Sequence, residues 1–255
     1  MKIGSNIMIV FISLLFSVPQ SVSDLYESGL LSYNNSNYKM TINNFESIID
    51  NGWYSSELLY NLGNSYYRLE NFENAVWAYE QCLIIDPNNK DAIFNLDIVR
   101  LKLADSFNYP DSPPYVKIYF SIVNLFSYSN WIKILLLSIL SFFILNAISR
   151  IVGLYEFQKY KLLFIYPLMF LVIISFHSVY INYSFNKGII LNDLIVMSEP
   201  NDYSTELFNI HKGLKVEIIK ISNDWLEIAL PDGKSGWIKN NNIRSLSLNK
   251  RLARF

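Results

Sequence analysis

Two apolar runs, Trp131–Ser149 and Leu162–Ile181, separated only by the polar segment Arg150–Lys161, constrain this chain more than any other feature. A helix rises about 1.5 Å per residue, so roughly 20 apolar residues cross a hydrocarbon core of roughly 30 Å. Both runs reach that length. Ile134–Leu145 carries no charge, and Leu162–Ile181 has only His177 as a group titrating near neutral pH. The competing reading, two buried helices of a soluble protein, fits this length and hydropathy less well. Two spans joined by so short a loop form an antiparallel hairpin, so the segments before and after it lie on one side of the membrane.

Charge is segregated around the hairpin. Residues 24–115 carry 5 Lys/Arg against 13 Asp/Glu, residues 116–181 carry 5 against 1, and residues 182–255 carry 10 against 8. An acidic front, a cationic membrane unit and a balanced tail exclude the basic face of a nucleic-acid binder. The N-terminus has Lys2, an apolar stretch Ile7–Phe16, Pro19, and small residues at Ser21 and Ser23. That is the layout of a signal peptide over residues 1–23, cut after Ser23, with an uncleaved anchor as the alternative. Export makes loop 150–161 cytoplasmic, and its Arg150, Lys159 and Lys161 agree with the positive-inside rule.

Residues 24–105 repeat with a period of 34: Leu25 aligns with Leu59, Gly29 with Gly63, Phe45 with Tyr79 and Ile48 with Cys82. The second copy resembles the tetratricopeptide repeat at Leu62, Gly63, Tyr66, Ala75, Tyr79 and Pro87. Gly63 and Ala75 are small where the two helices of a repeat cross, Tyr66 and Tyr79 fill the groove between repeats, and Pro87 stops the second helix. The first copy departs from that pattern at Ser28, Thr41 and Trp53. Asp91–Ala104, with Ile93, Leu96, Val99, Leu101 and Leu103, reads as the helix that covers the last repeat. The concave face of such a stack would carry Tyr26, Leu30, Tyr33, Tyr60, Asn64, Tyr67, Arg68, Phe94 and Ile98. Aromatics with an amide and a guanidinium suit a bound peptide, whereas the bland alternative is packing between repeats.

Residues 106–130 begin as a proline linker with Pro110, Pro113 and Pro114 and continue as a short apolar segment, Val116–Phe126, that reads as an interfacial helix. Trp131 follows where a headgroup-level aromatic is expected. His177 lies near the outer end of the second span without a partner carboxylate in either span. Pro167 predicts a kink near the inner end.

Beyond the spans the periodicity changes. Leu194/Val196, Val216/Ile218 and Leu226/Ile228/Leu230 alternate with polar residues and Asp232-Gly233 marks a tight turn, so five or six short strands are expected over residues 189–246. Gly213, Trp225, Gly236 and Trp237 resemble the bacterial SH3-like family, which implies a small β-barrel. Trp225 and Trp237 are then the candidate ligand surface, or else core and groove wall. Residues 247–255 form a basic tail, read as lying on anionic headgroups or as disordered.

Two histidines and the single Cys82, which reads as a small buried hydrophobe, leave little material for nucleophilic or metal chemistry, and no glycine-rich phosphate loop is present. No catalytic, metal or cofactor residue is assigned. The order of signal, repeats, linker, two-span hairpin and SH3-like barrel resembles the BatE-type proteins of the Bacteroides aerotolerance operon. That resemblance implies a non-catalytic bacterial inner-membrane protein with its repeats and barrel in the periplasm. Its implied partners are von Willebrand A-domain membrane proteins and, indirectly, a MoxR-type ATPase, in an assembly linked to oxidative-stress tolerance. A barrel that grips peptidoglycan peptide while the repeats recruit a client, and an accessory subunit of a transporter, are the alternatives.

Overall fold

A computed structural model describes residues 19–104, 114–123, 125–126, 128–151, 161–184, 187–246 and 251–252. The apolar core of the expected signal, the linker prolines Pro110 and Pro113, most of the expected cytoplasmic loop and most of the tail lie outside the described residues.

Five helices form the repeat region: α1 (Gln20–Asn34), α2 (Tyr38–Asp50), α3 (Ser56–Arg68), α4 (Phe72–Ile85) and α5 (Lys90–Arg100). The side chains of Asn37, Ser55, Asn71 and Asn89 each accept a bond from an otherwise unpartnered N–H of the helix that follows. Both copies turn alike: Ser36 and Glu70, one period apart, each adopt φ 58°. A Cβ on Gly29 would lie 2.3 Å from the Phe45 ring, and one on Gly63 would lie 2.6 Å from the Tyr79 ring. Glycine is therefore what lets each helix pair close. The first copy folds as a repeat despite its departures, because Thr41 is fully buried and its hydroxyl donates to the Gly29 carbonyl at 3.3 Å.

Helix α1 starts directly after Pro19, and Val22 is buried in the repeat core. The boundary expected at Ser23 thus falls inside this helix. In α5 the buried face is Ala92, Leu96 and Val99, while Ile93 and Leu101 are exposed. The sequence offers five apolar residues to cover the repeats; at about 100° per residue only one stripe of them can.

Helix α6 (Pro114–Val123) precedes α7 (Tyr128–Ile151) and α8 (Lys161–Ser184), which pack against each other. Among the described residues one helix, Ser129–Ile151, is long and apolar enough to cross a membrane, and Ile165–His177 is a shorter apolar stretch. Pro167 sits within α8. Trp131 ties this unit together: its indole N–H donates to the Val123 carbonyl at 2.7 Å, its ring meets Phe126 edge-on, and its carbonyl accepts from Ser175 at 3.3 Å. Tyr119 of α6 hydrogen-bonds His177 of α8.

The C-terminal region is an antiparallel sheet of seven strands: β2 (Lys187–Ile190), β3 (Leu194–Met197), β4 (Glu206–Ile210), β5 (Lys215–Ser222), β6 (Trp225–Ala229), β7 (Ser235–Lys239) and β8 (Ile243–Ser245), in the order β4-β3-β7-β6-β5-β2-β8. It has more strands than the pattern suggests because β2 is buried at three successive residues, Gly188 to Ile190, and β8 has only three residues, so neither alternates visibly. Val196, Val216, Leu226, Ile228 and Leu230 point into the core as the alternation requires, with Leu194 and Ile218 at its margin. Gly233, at φ 87°, makes the β6–β7 turn. The tail departs from expectation: β9 (Arg251–Leu252) pairs in parallel with β1 (Trp53–Tyr54), between the two repeats.

Repeats and sheet are docked on one another. Ile189 and Leu246 belong to the same buried cluster as the repeat core. Helix α4 is buried without a break from Ala75 to Cys82 because the sheet covers the side its neighbours leave open. There the Trp77 indole N–H donates to the Ser245 carbonyl at 2.9 Å.

Candidate functional site

A cavity of about 290 Å³ opens on the concave side of the repeats, lined by Tyr33, Tyr60, Asn64, Tyr67, Arg68, Tyr79, Asn95 and Ile98. Helix α3 supplies Tyr60, Asn64, Tyr67 and Arg68, which recur at three- and four-residue steps and so share one face. Helices α1, α4 and α5 supply the rest.

Asn64 sits at the centre. Its Oδ1 accepts from the Tyr79 hydroxyl at 2.6 Å and from Asn95 Nδ2 at 2.9 Å, and Asn95 also approaches the Tyr60 hydroxyl at 3.4 Å. With its carbonyl held twice, the Asn64 amide is fixed in orientation and its N–H groups are left to donate. Arg68 forms no ion pair among the described residues. Burial raises the Tyr33 phenol pKa, and Arg68 opposes that rise. Burial likewise raises that of Tyr79. These phenols stay protonated near neutral pH and act as neutral hydrogen-bonding groups. A wall of tyrosines with an oriented amide and a guanidinium without an ion pair among the described residues can hold an extended chain that carries a carboxylate.

Six of the nine residues expected on the concave face line the cavity, and Leu30 instead packs partly buried against the repeat core. Tyr26 does not line it: it is 8% exposed and stacks on Phe45, with ring centroids 5.7 Å apart. Phe94 does not either. It is 65% exposed, on the side of α5 opposite Ala92, Leu96 and Val99, and its neighbour Asn95 faces the cavity instead. The helical phase of that buried triplet is the sequence signal that places Asn95 here.

On the sheet, Trp225 is paired in register with Lys239, and Trp237 with Glu227, so both tryptophans lie on the outer face of the β6–β7 hairpin. Both are half-buried, and neither belongs to the sheet core. A second, open cavity of about 500 Å³ is lined by Trp225 with Asp202, Asp224, Lys239, Asn240 and Asn241. Lys239 lies 5.6 Å from the Trp225 ring centroid and pairs with Asp202 at 2.7 Å. Trp237 does not line it.

Residues 56–89 match the tetratricopeptide repeat family. No curated protein matches the chain at a significant level. The matched stretch holds α3 and α4, hence five of the eight residues lining the concave cavity. Tetratricopeptide repeats are, in general, protein-interaction modules.

Proposed function

We propose that this protein is a membrane-anchored, non-catalytic interaction scaffold whose repeat groove binds a peptide segment of its partner. The observation that carries this reading is Asn64, held by Tyr79 and Asn95 beside Arg68, which lacks a carboxylate partner among the described residues. A photo-crosslinking residue at Tyr67 in the full chain should trap a partner in native membranes. Arg68→Ala should reduce that product several-fold while leaving the thermal midpoint unchanged. Undiminished crosslinking in Arg68→Ala would exclude the groove.

On this reading α7 and α8 cross the bacterial inner membrane twice, with α6 at the interface and the repeats and SH3-like sheet in the periplasm. The resemblance to BatE-type proteins extends it to an aerotolerance assembly with von Willebrand A-domain membrane proteins and, indirectly, a MoxR-type ATPase. Co-purification from native membranes, followed by identification of the bound proteins, tests that extension. The open Trp225 cavity favours a second reading, in which the sheet binds peptidoglycan peptide. Retention of the full chain on purified sacculi, abolished by Trp225→Ala, would support that reading; equal retention of the variant would sink it.

A further inference from the structure

Four contacts fix which end of the sheet faces α7 and α8. β5 runs in the same direction as α4: Lys212, in the turn before β5, reaches Glu73 at 3.4 Å, and Lys215, at the start of β5, reaches Glu80 at 2.5 Å. Glu73 and Glu80 lie about 10 Å apart along the helix. Helix α4 then leads into the turn where Asn88 Nδ2 donates to the Leu125 carbonyl at 3.1 Å, just ahead of α7. Finally, β2 enters the sheet from α8 and runs antiparallel to β5, with Lys187 opposite Glu217. Beyond Glu217, therefore, β5 and the hairpin it forms with β6 point back toward α7 and α8.

Ser175 bonds the Trp131 carbonyl, which sets the two at one level, and α8 continues from there to Ser184, about 13 Å farther on. Past Glu217, β5 and its hairpin run back over a comparable length.

What the tip presents there is apolar. Ile219 is 56% exposed and Ile221 is 64% exposed, with exposed Lys220 between them and Asn223 closing the turn at φ 52°. The register shift between Ile218 and Lys220 turns Ile219 away from the sheet core, which is complete without either isoleucine. Asp224 and Glu227 offset the charge of Lys220, so the tip has an apolar character rather than a cationic one.

We propose that the β5–β6 hairpin tip inserts Ile219 and Ile221 into the headgroup layer of the membrane that α7 and α8 cross. This rests on the membrane reading above. The tip gives the docked body an attachment point besides the helices and fixes the tilt of the repeat groove over the bilayer. Because the wedge is apolar, it needs no anionic lipid.

The test uses the full chain reconstituted in vesicles of phosphatidylethanolamine and phosphatidylglycerol, with an environment-sensitive fluorophore on Ile221→Cys, Lys234→Cys or Phe143→Cys. Buried Cys82 stays unlabelled. Lys234 lies at the opposite end of the sheet, and Phe143 is an exposed residue in the middle of α7. Nitroxide lipids of shallow depth should quench the Ile221 probe several-fold more than the Lys234 probe, with no loss when phosphatidylglycerol is omitted. If deep nitroxides quench Phe143 while Ile221 is quenched no more than Lys234, the proposal falls and the membrane reading stands. The proposal falls equally if Ile221 is shielded from aqueous quencher without being quenched by lipid, since protein would then cover it. An unquenched Phe143 overturns both.

Discussion

The guanidinium of Arg244 lies over the indole of Trp77, 3.4 Å from the ring centroid, although the two residues belong to different halves of the chain. The same guanidinium donates to both carboxylate oxygens of Glu46, at 2.9 and 2.7 Å, and to Asn74 at 2.8 Å. One side chain of β8 thus engages α2 and α4 together. Arg244→Ala should lower stability by about 2–4 kcal/mol, since Glu46 is left half-buried and a stacked cation is lost. Arg244→Lys should restore little, because an ammonium cannot make the planar two-pronged contact. Thermal unfolding of the full chain in detergent micelles measures both.

Glu80 is the other pin of this interface. Its side chain is 7% exposed, and its two oxygens accept from Arg100 at 2.9 Å and Lys215 at 2.5 Å. Glu80→Ala should cost about 3–5 kcal/mol, the range for breaking a buried ion pair on one side. Replacing Glu80 and Lys215 together with leucine should cost less than Glu80→Ala alone. Denaturant midpoints of the three variants decide this, and additive losses would count against a coupled pair.

At the helix crossing, Gly63→Ala should cost about 1–3 kcal/mol, because its Cβ would meet a Tyr79 ring that is 1% exposed and has nowhere to move. Gly52→Ala should cost about 1 kcal/mol for a different reason: nothing lies within 4 Å, but φ is 81°. Pairing Gly63→Ala with Tyr79→Leu should recover part of the loss at Gly63 and none at Gly52.

Alkaline pH should destabilise the repeats. Burial, aided by Asp86, pushes the Cys82 thiol up to about 12 from its ordinary 9.0. The folded chain keeps a proton that the unfolded chain releases, so this contribution is complete below about pH 9 and is lost as pH rises toward about 12. The loss reaches about 1.4 kcal/mol per pH unit for one such proton. The phenols of Tyr54, Tyr66 and Tyr79, raised chiefly by burial, act in the same direction at higher pH. Urea midpoints between about pH 8 and 11 should fall, with a shallower onset in Cys82→Ala.

The proposed two-span architecture predicts Ser204 and Lys159 on opposite sides of the membrane. Cysteine at position 204 should react with an impermeant reagent applied from the periplasmic side, and cysteine at 159 only after permeabilisation. Equal access at both positions would remove the second span from the proposed architecture.

The repeats are legible in the sequence because their packing leaves a periodic mark: glycine and aromatic recur one period apart wherever two helices cross. The sheet core is legible from alternation at Val216, Leu226 and Ile228. Most of the groove follows from the face shared by Tyr60, Asn64 and Tyr67. Phe94 misleads because α5 has no repeat partner to set its phase, and an aromatic looks the better groove residue than the adjacent amide. The docking of sheet on repeats is not legible. Trp77, Glu80 and Arg244 follow no periodicity, and their contacts join residues far apart in the chain. One sign of it is present: Ala75–Cys82 is apolar on nearly every side, and a helix of that kind needs covering all round.

Because β8 seats on α4 and β9 on β1, the repeats cannot be finished when they are made. Trp77 leaves the ribosome long before Ser245, and α7 and α8 lie between them. During that interval the indole and the Glu80 carboxylate face solvent or a chaperone, and the last native contacts close a loop spanning most of the chain. Such closure is slow compared with folding of the helical pairs. Maturation of the protein is thereby timed by completion of its own C-terminal sheet.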